Sequence, residues 1–207
     1  MRKRVFSRAV VAVCAATLGL GLAAVEPASA APLPITNWKA DVTTHVGALV
    51  NTDVNIPQGT FSGSVETDTG AMTGTMNLPA ATFTYNALFL IPTTVTFHVD
   101  QVGTTPVTGT VNLQTGAMNV TDVFNVRLSS VKLLGIEVLD PATTCKAVSN
   151  STATLSGTLN LSASPATAHL AGNYAIPNLD GCGFLGGFIS AFTAGPTNAL
   201  DVTITQT

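Results

Sequence analysis

This chain carries little charge and few aromatic side chains. Only 9% of its 207 residues are Asp, Glu, Lys or Arg, and only 6% are Phe, Trp or Tyr. After residue 30 the remaining basic residues are Lys39, Arg127, Lys132 and Lys146. They are too few and too dispersed to neutralise a phosphate backbone, so a nucleic-acid partner is excluded.

The common catalytic and metal-binding motifs are also missing. The sequence contains no Gly-x-Ser-x-Gly elbow, no His-Glu-x-x-His and no phosphate-binding loop. His98 and Asp100 fall on one face of a predicted strand. They begin an acid–base or metal site only if a third polar group converges on His98. The sequence therefore assigns no catalytic residue, no metal ligand and no cofactor.

The one long apolar run lies at the amino terminus. Basic residues precede apolar residues 9–25, and Ala28-Ser29-Ala30 follows as a small-residue cleavage site. These parts predict a secretory signal peptide over residues 1–30. The alternative is a membrane anchor, although the apolar run is shorter than a membrane-spanning helix requires. Residues 31–207 then hold four basic and ten acidic residues, a formal charge of −6. We expect a secreted or extracellular protein, free or cell-wall associated, with no transmembrane anchor after cleavage.

Only two cysteines, Cys145 and Cys182, follow the predicted signal. In an exported chain two cysteines most simply form one disulfide. It would close a loop of 38 residues and contribute about 4 kcal/mol on the chain-entropy estimate. Two free thiols or a metal pair are the alternatives, and the chain has neither a Cys-x-x-Cys nor a nearby His to support a metal.

A short phrase with a central glycine recurs five times. It runs apolar residue, spacer, glycine, spacer, apolar residue, as in Val107-Thr108-Gly109-Thr110-Val111. The other copies centre on Gly63, Gly74, Gly157 and Gly172. Strict alternation of this kind predicts half-buried β-strands. The strand glycines are expected to admit a facing ring or a bend, and the alternative is an interior hollowed for an apolar guest.

The repeated phrase organises one predicted domain over residues 31–207. A shift of 46 residues superposes Gly63 on Gly109 and Thr69-Gly70 on Thr115-Gly116, which predicts hairpin repeats at about 58–80 and 105–128. We predict an all-β domain, an antiparallel sandwich or a closed barrel of about ten to twelve short strands, with a disulfide-stapled part at 145–206. Further strand candidates are Ala40–Val46, Thr82–Tyr85, Thr94–Asp100, Val123–Leu128, Val131–Val138 and Leu200–Thr205.

One segment departs from the alternating pattern. Phe184, Phe188 and Phe192 are spaced by four, with Leu185 and Ile189 beside them. This spacing predicts at most one short helix near 184–192 with an apolar stripe. The stripe is expected to plug one end of the β domain. Alternatively, its five residues form the lid or wall of a lipid-sized pocket.

The C-terminal part of the chain contains the two cysteines and the sequence Ile176-Pro177 followed by Gly181-Cys182-Gly183. With these residues, the stretch from Cys145 to about Thr205 resembles a domain common in exported proteins of actinobacteria. The hairpin repeats resemble the same group. This group has no assigned activity, so the resemblance implies a secreted β-rich protein and carries over no functional residue.

Three classes of function follow. The first is a non-catalytic extracellular or cell-envelope protein that is structural, adhesive or interacting, and it should expose an apolar patch or an unprotected edge strand. The second is a carrier of an apolar ligand such as an envelope lipid, and it requires an interior cavity of roughly 300 Å³ or more. The third is a hydrolase or a metal-dependent enzyme built on His98. Lipid or a cell-wall component is the partner that the first two classes imply.

Overall fold

A computed structural model describes residues 31–47, 50–88, 90–139, 144–183 and 186–207. The predicted signal peptide, residues 1–30, lies outside the described residues. The described chain forms thirteen strands and one helix. The strands are β1 Leu33–Val46, β2 Thr52–Val65, β3 Ala71–Asn77, β4 Ala81–Ala87, β5 Ile91–Gln101, β6 Val107–Val111, β7 Ala117–Leu133, β8 Ile136–Glu137, β9 Cys145–Ala147, β10 Ser151–Asn160, β11 Thr167–Ile176, β12 Leu179–Asp180 and β13 Gly195–Thr205, and the helix is α1 Gly186–Thr193.

Eight of these strands close into an antiparallel barrel. Their order is β1-β2-β3-β6-β7-β10-β11-β13, and β13 pairs again with β1. The ring also needs the pairing of β10 with Ala117–Phe124 of β7. Of the two predicted architectures the barrel is therefore correct. Closure satisfies the backbone groups that open sheet edges would leave unpaired.

The two predicted hairpin repeats are the β2–β3 and β6–β7 hairpins. Their turns contain Gly70 and Gly116 with φ of +70° and +76°. The Gly70 carbonyl accepts the backbone N–H of Val111 at 2.7 Å, and the Gly116 carbonyl accepts that of Leu159 at 2.7 Å. Each turn is thus bonded to the next strand around the barrel, so the repeat helps to set the register of the ring.

The strand glycines admit a ring at one position and close strand contact at another. A Cβ added to Gly74 would lie 2.6 Å from Cζ of Phe61, whose side chain is fully buried. A Cβ added to Gly157 would lie 1.8 Å from the carbonyl oxygen of His169 on the neighbouring strand. The contact at Gly74 agrees with the ring-packing role expected of these glycines, and the contact at Gly157 shows that two strands approach closely there.

Strand β7 is longer than predicted because it belongs to two sheets. After Phe124 it leaves the barrel, pairs with β5 on one side and pairs with β9 and β8 on the other. With β4 and β12 at its ends, this small sheet has the order β4-β5-β7-β9-β12. We expected separate strands at Val123–Leu128 and Val131–Val138. The pairing irregularity near Ser129 is a bulge rather than a break, so the chain continues through it.

The predicted disulfide between Cys145 and Cys182 is confirmed, and both cysteines are buried. It joins β9 to the segment that follows β12. The helix α1 comes next, close to the predicted position, and packs on β12. The Ser190 hydroxyl accepts the N–H of Leu179 at 2.8 Å and donates to its carbonyl at 3.0 Å. Among the described residues, no helix has the length and apolar character needed to span a membrane.

Candidate functional sites

An apolar cavity of about 60 Å³ lies where the small sheet covers the barrel. Its wall combines barrel side chains such as Val42 and Leu155 with small-sheet side chains such as Phe83 and Phe97. None of the five repeated glycines lines it. The cavity is therefore far smaller than the roughly 300 Å³ that a lipid carrier requires, and the strand glycines do not hollow it.

One carboxylate, Asp122, lies on the cavity wall. It occupies the inward phase of β7, and only 6% of it is exposed. Its Oδ1 accepts the Gln101 Nε2–H at 2.9 Å, and Gln101 Oε1 accepts the backbone N–H of Met76 at 2.6 Å. Burial raises the pKa of Asp122 to about 6, against the smaller lowering by hydrogen bonds from Gln101 and the Val123 backbone. The Asp122 carboxyl is thus partnered and sits in surroundings that disfavour its charged form.

A second polar pair on the wall is Thr44 with Tyr174. The Thr44 hydroxyl donates a hydrogen bond to the carbonyl oxygen of Ala199, 2.9 Å away. It therefore accepts a hydrogen bond from the Tyr174 hydroxyl, whose oxygen lies 2.7 Å away. Burial raises the pKa of Tyr174, and its bond to Thr44 opposes this rise. Both hydroxyls are occupied within the protein, which makes the pair a brace between β1, β11 and β13.

The predicted apolar stripe is only partly described. Ile189 is buried in the core, and Phe188 packs half-buried against it. Phe184 and Leu185 lie outside the described residues, as does the side chain of Phe192. Within the described part of the chain, the helix residue that lines the cavity is Thr193 rather than Phe188 or Ile189. A ligand wall built from the stripe stays a prediction.

A third polar group, the Ser129 hydroxyl, lies beside His98 as an enzyme would need. The Asp100 carboxylate, however, is hydrogen-bonded to Arg127 rather than to His98. His98 Nε2 lies 3.0 Å from the hydroxyl of Ser129 at the β7 bulge. The Asp100 carboxylate instead accepts Arg127 Nε–H at 2.8 Å and Nη2–H at 3.3 Å. The carboxylate that would orient the imidazole is thus held by a cation. Among the described residues, no three His, Cys, Asp or Glu side chains are placed to hold a metal ion.

Two adjacent turns of the small sheet expose large aliphatic side chains. The β4–β5 turn carries Leu88 and Leu90, which are 59% and 84% exposed, and the β7–β8 hairpin carries Leu134 in its turn and Ile136 as the first residue of β8, at 69% and 70%. Because β5 pairs with β7 and the Leu134 N–H donates to the Pro92 carbonyl at 2.9 Å, the turns lie side by side. We call Leu88, Leu90, Leu134 and Ile136 the tip patch.

The backbone of the tip patch adopts a conformation that leucine disfavours. Leu88 and Leu134 have φ of +50° and +52°. The other non-glycine residues with positive φ in the described chain are Asn37 and Asn51, and asparagine tolerates this region. Leucine there costs about 1 kcal/mol or more. Since these side chains are exposed, they return little to the core, which points to a role outside folding.

The strand beside the tip patch forms an uncharged sheet edge. Strand β4 pairs with β5, and no described strand pairs with its other side. Residues 69–99 contain no Asp, Glu, Lys or Arg. Exposed edges are usually protected by such charges. The small sheet thus combines an exposed apolar patch with an uncharged edge strand, the features expected of a non-catalytic interaction protein.

Our reading of the sequence missed both Asp122 and the tip patch, although each leaves a signal. Asp122 is a charged residue in the apolar phase of an alternating strand. Two tip-patch residues, Leu88 and Leu90, belong to the apolar run Leu88-Phe89-Leu90-Ile91. This run stands between two predicted strands, where turn residues are expected. Phe89 lies outside the described residues. No family model, curated protein or solved structure matches the chain.

Proposed function

We propose that this protein is an extracellular, non-catalytic interaction protein that attaches to the cell envelope through the tip patch. The observation that carries the proposal is the tip patch itself, four aliphatic side chains 59% to 84% exposed at the ends of two neighbouring hairpins. Isolated exposed aliphatic residues are ordinary, but a cluster of this kind marks an interaction site.

The extracellular location is supported by the amino-terminal signal pattern and by the disulfide. Cys145 and Cys182 are bonded, and disulfides form and persist mainly in oxidising compartments outside the cytosol. The resemblance to secreted β-rich proteins of actinobacteria points the same way.

The two alternative functions have less support. A carrier of an envelope lipid needs several times the 60 Å³ that the cavity provides. A hydrolase needs an oriented base, whereas Asp100 is engaged by Arg127 rather than by His98. Neither alternative explains why large aliphatic side chains occupy the two turns.

The proposal is tested by fractionating cultures of cells that export the protein. The variant Leu90→Thr/Ile136→Thr removes the most exposed aliphatic side chain of each hairpin end. The matched control is Leu113→Thr/Leu161→Thr, which changes two leucines, 38% and 48% exposed, on turns of the barrel. We expect wild type and control in the envelope fraction and the tip variant in the medium. Equal release of all three proteins, or equal retention, would contradict the proposal.

A further inference from the structure

We infer that the partner of the tip patch is a lipid surface, into which the two turns insert their aliphatic side chains. This inference rests on the proposed function and names the partner of the same site. It is carried by three properties of the turns: their placement, their backbone hydrogen bonds and the distribution of charge around them.

Placement favours a surface that needs no matching groove. The four side chains stand in or next to turns, at the end of a sheet, and Leu90 is 84% exposed. A protein partner would have to supply a cleft shaped to both turns at once. A bilayer accommodates projecting aliphatic side chains without such complementarity, and its affinity follows the apolar area that enters.

Two backbone N–H groups of the tip patch, those of Leu90 and Leu134, are hydrogen-bonded within the protein. A polar group that enters hydrocarbon without a hydrogen bond costs several kcal/mol. The Leu90 N–H donates to the Ala87 carbonyl at 3.2 Å, and the Leu134 N–H donates to the Pro92 carbonyl at 2.9 Å. Pro92 itself has no N–H to satisfy. These bonds reduce the desolvation penalty at the positions that would go deepest.

The two charged groups of the β7–β8 hairpin lie on its strands rather than in its turn, and Glu137 directly follows Ile136. On the β7–β8 hairpin, Lys132 and Glu137 are register partners below the turn. Glu137 Oε1 accepts the backbone N–H of Val131 at 2.8 Å, which holds the carboxylate along the strand and away from Leu134. Lys132 is exposed, and its long side chain can reach a phosphate headgroup while the turn enters the acyl region.

Overall charge selects the kind of lipid surface. Residues 31–207 carry a formal charge of −6, so an anionic membrane repels the protein as a whole. Insertion of uncharged aliphatic side chains is also insensitive to ionic strength, unlike attraction by basic clusters. We therefore expect binding to zwitterionic vesicles that high salt does not weaken.

The test is flotation of the disulfide-bonded chain, residues 31–207, with vesicles of pure phosphatidylcholine. We expect wild type and Leu113→Thr/Leu161→Thr to float with the vesicles at both low and high salt. The partition coefficient of Leu90→Thr/Ile136→Thr onto the vesicles should fall by a factor of about ten or more, because two large exposed aliphatic groups are lost. Urea unfolding of all three proteins verifies that the substitutions leave the fold intact.

Several outcomes would overturn the lipid inference. They are failure of wild type to float, equal flotation of the tip variant, or binding confined to anionic vesicles and abolished by salt. Dimerisation of wild type without flotation, reversed by the tip variant, would assign the patch to a second copy of the chain. Envelope retention without flotation would leave the proposed function standing with a protein or wall-polymer partner. Flotation without tip-dependent retention would instead count against the proposed function.

Discussion

The turns of the barrel and the turns of the small sheet close hairpins with opposite chemistry. In the β6–β7 turn, Asn112 Oδ1 accepts the N–H groups of Gln114 and Thr115 at 3.0 Å each, and Gly116 takes the positive φ. In the small sheet, Leu88 and Leu134 take positive φ with exposed side chains.

This difference separates turns that favour the fold from turns that work against it. A turn with asparagine and glycine satisfies its own backbone and adopts φ > 0 at little cost. Leucine at that position lowers the free energy of unfolding and leaves apolar area exposed to water. The barrel turns therefore stabilise the fold, whereas the small-sheet turns cost stability and, in the proposed function, supply the binding surface.

The largest expected effect comes from two glycines with similar φ and different surroundings. A Cβ at Gly116 would lie 2.2 Å from the Leu159 carbonyl oxygen, whereas a Cβ at Gly135 meets nothing within 4 Å. Their φ values are +76° and +82°. Gly116→Ala should lower the free energy of unfolding by about 4 kcal/mol, through strain, overlap and a lost hydrogen bond. Gly135→Ala should cost about 1 kcal/mol, from φ alone.

Urea denaturation of both variants measures this difference. Gly135→Ala serves as the matched control because it carries the same backbone strain without the neighbouring strand. If both variants lost the same free energy of unfolding, the barrel turn would contribute no more to stability than the small-sheet turn. That result would contradict the distinction drawn between the two kinds of turn.

A second prediction concerns Asp122, which sits where β7 passes from the barrel to the small sheet. Burial raises its pKa to about 6 from 3.8, so the folded protein binds the proton more tightly than the unfolded chain does. This contribution to stability is full below about pH 4 and is lost as pH rises through 6, for a total of about 3 kcal/mol. Asp122→Asn should remove this fall, as followed by urea unfolding at several pH values.

An exposed carboxylate provides the control for Asp122. Asp100→Asn changes a surface residue that is paired with Arg127, and it should keep the wild-type fall between pH 4 and 6. If Asp122→Asn retained that fall, the buried carboxyl would not be its source.

The smallest expected effect concerns the strained leucines. Leu88→Asn and Leu134→Asn should each raise the free energy of unfolding by about 1 kcal/mol, because asparagine tolerates φ > 0. The same substitutions should weaken flotation with phosphatidylcholine vesicles. A gain in stability together with a loss of binding would show that the two properties oppose each other at these positions. Lower stability in both variants would mean that the leucines support the fold.

The sequence was informative about the barrel because its signals are local. The repeat that relates Gly70 to Gly116 predicted two hairpins, and both are present in the ring. The prediction that Cys145 pairs with Cys182 needed only the count of cysteines and the expectation of export. Alternation along each strand predicted which side chains face the core.

The small sheet was harder to predict because its features depend on distant partners. The split of β7 between two sheets follows from where β5 and β9 pair, and the bulge at Ser129 carries no distinctive residue type. The tip patch joins Leu90 and Ile136, which lie 46 residues apart in the sequence, from the ends of two hairpins. The strain at Leu88 is a backbone property that residue identity alone does not predict.

The sequence by itself determined the strand chemistry of this protein, its hairpin turns and its disulfide, because alternation, turn residues and cysteine number act over short stretches of chain. Only the tertiary structure decided that the strands close into a ring, that the cavity is small, and that two apolar turns meet. Closure and cavity volume depend on how many strands pair and how their side chains fill the interior. Adjacency of the turns depends on the pairing of β5 with β7, which no local pattern encodes.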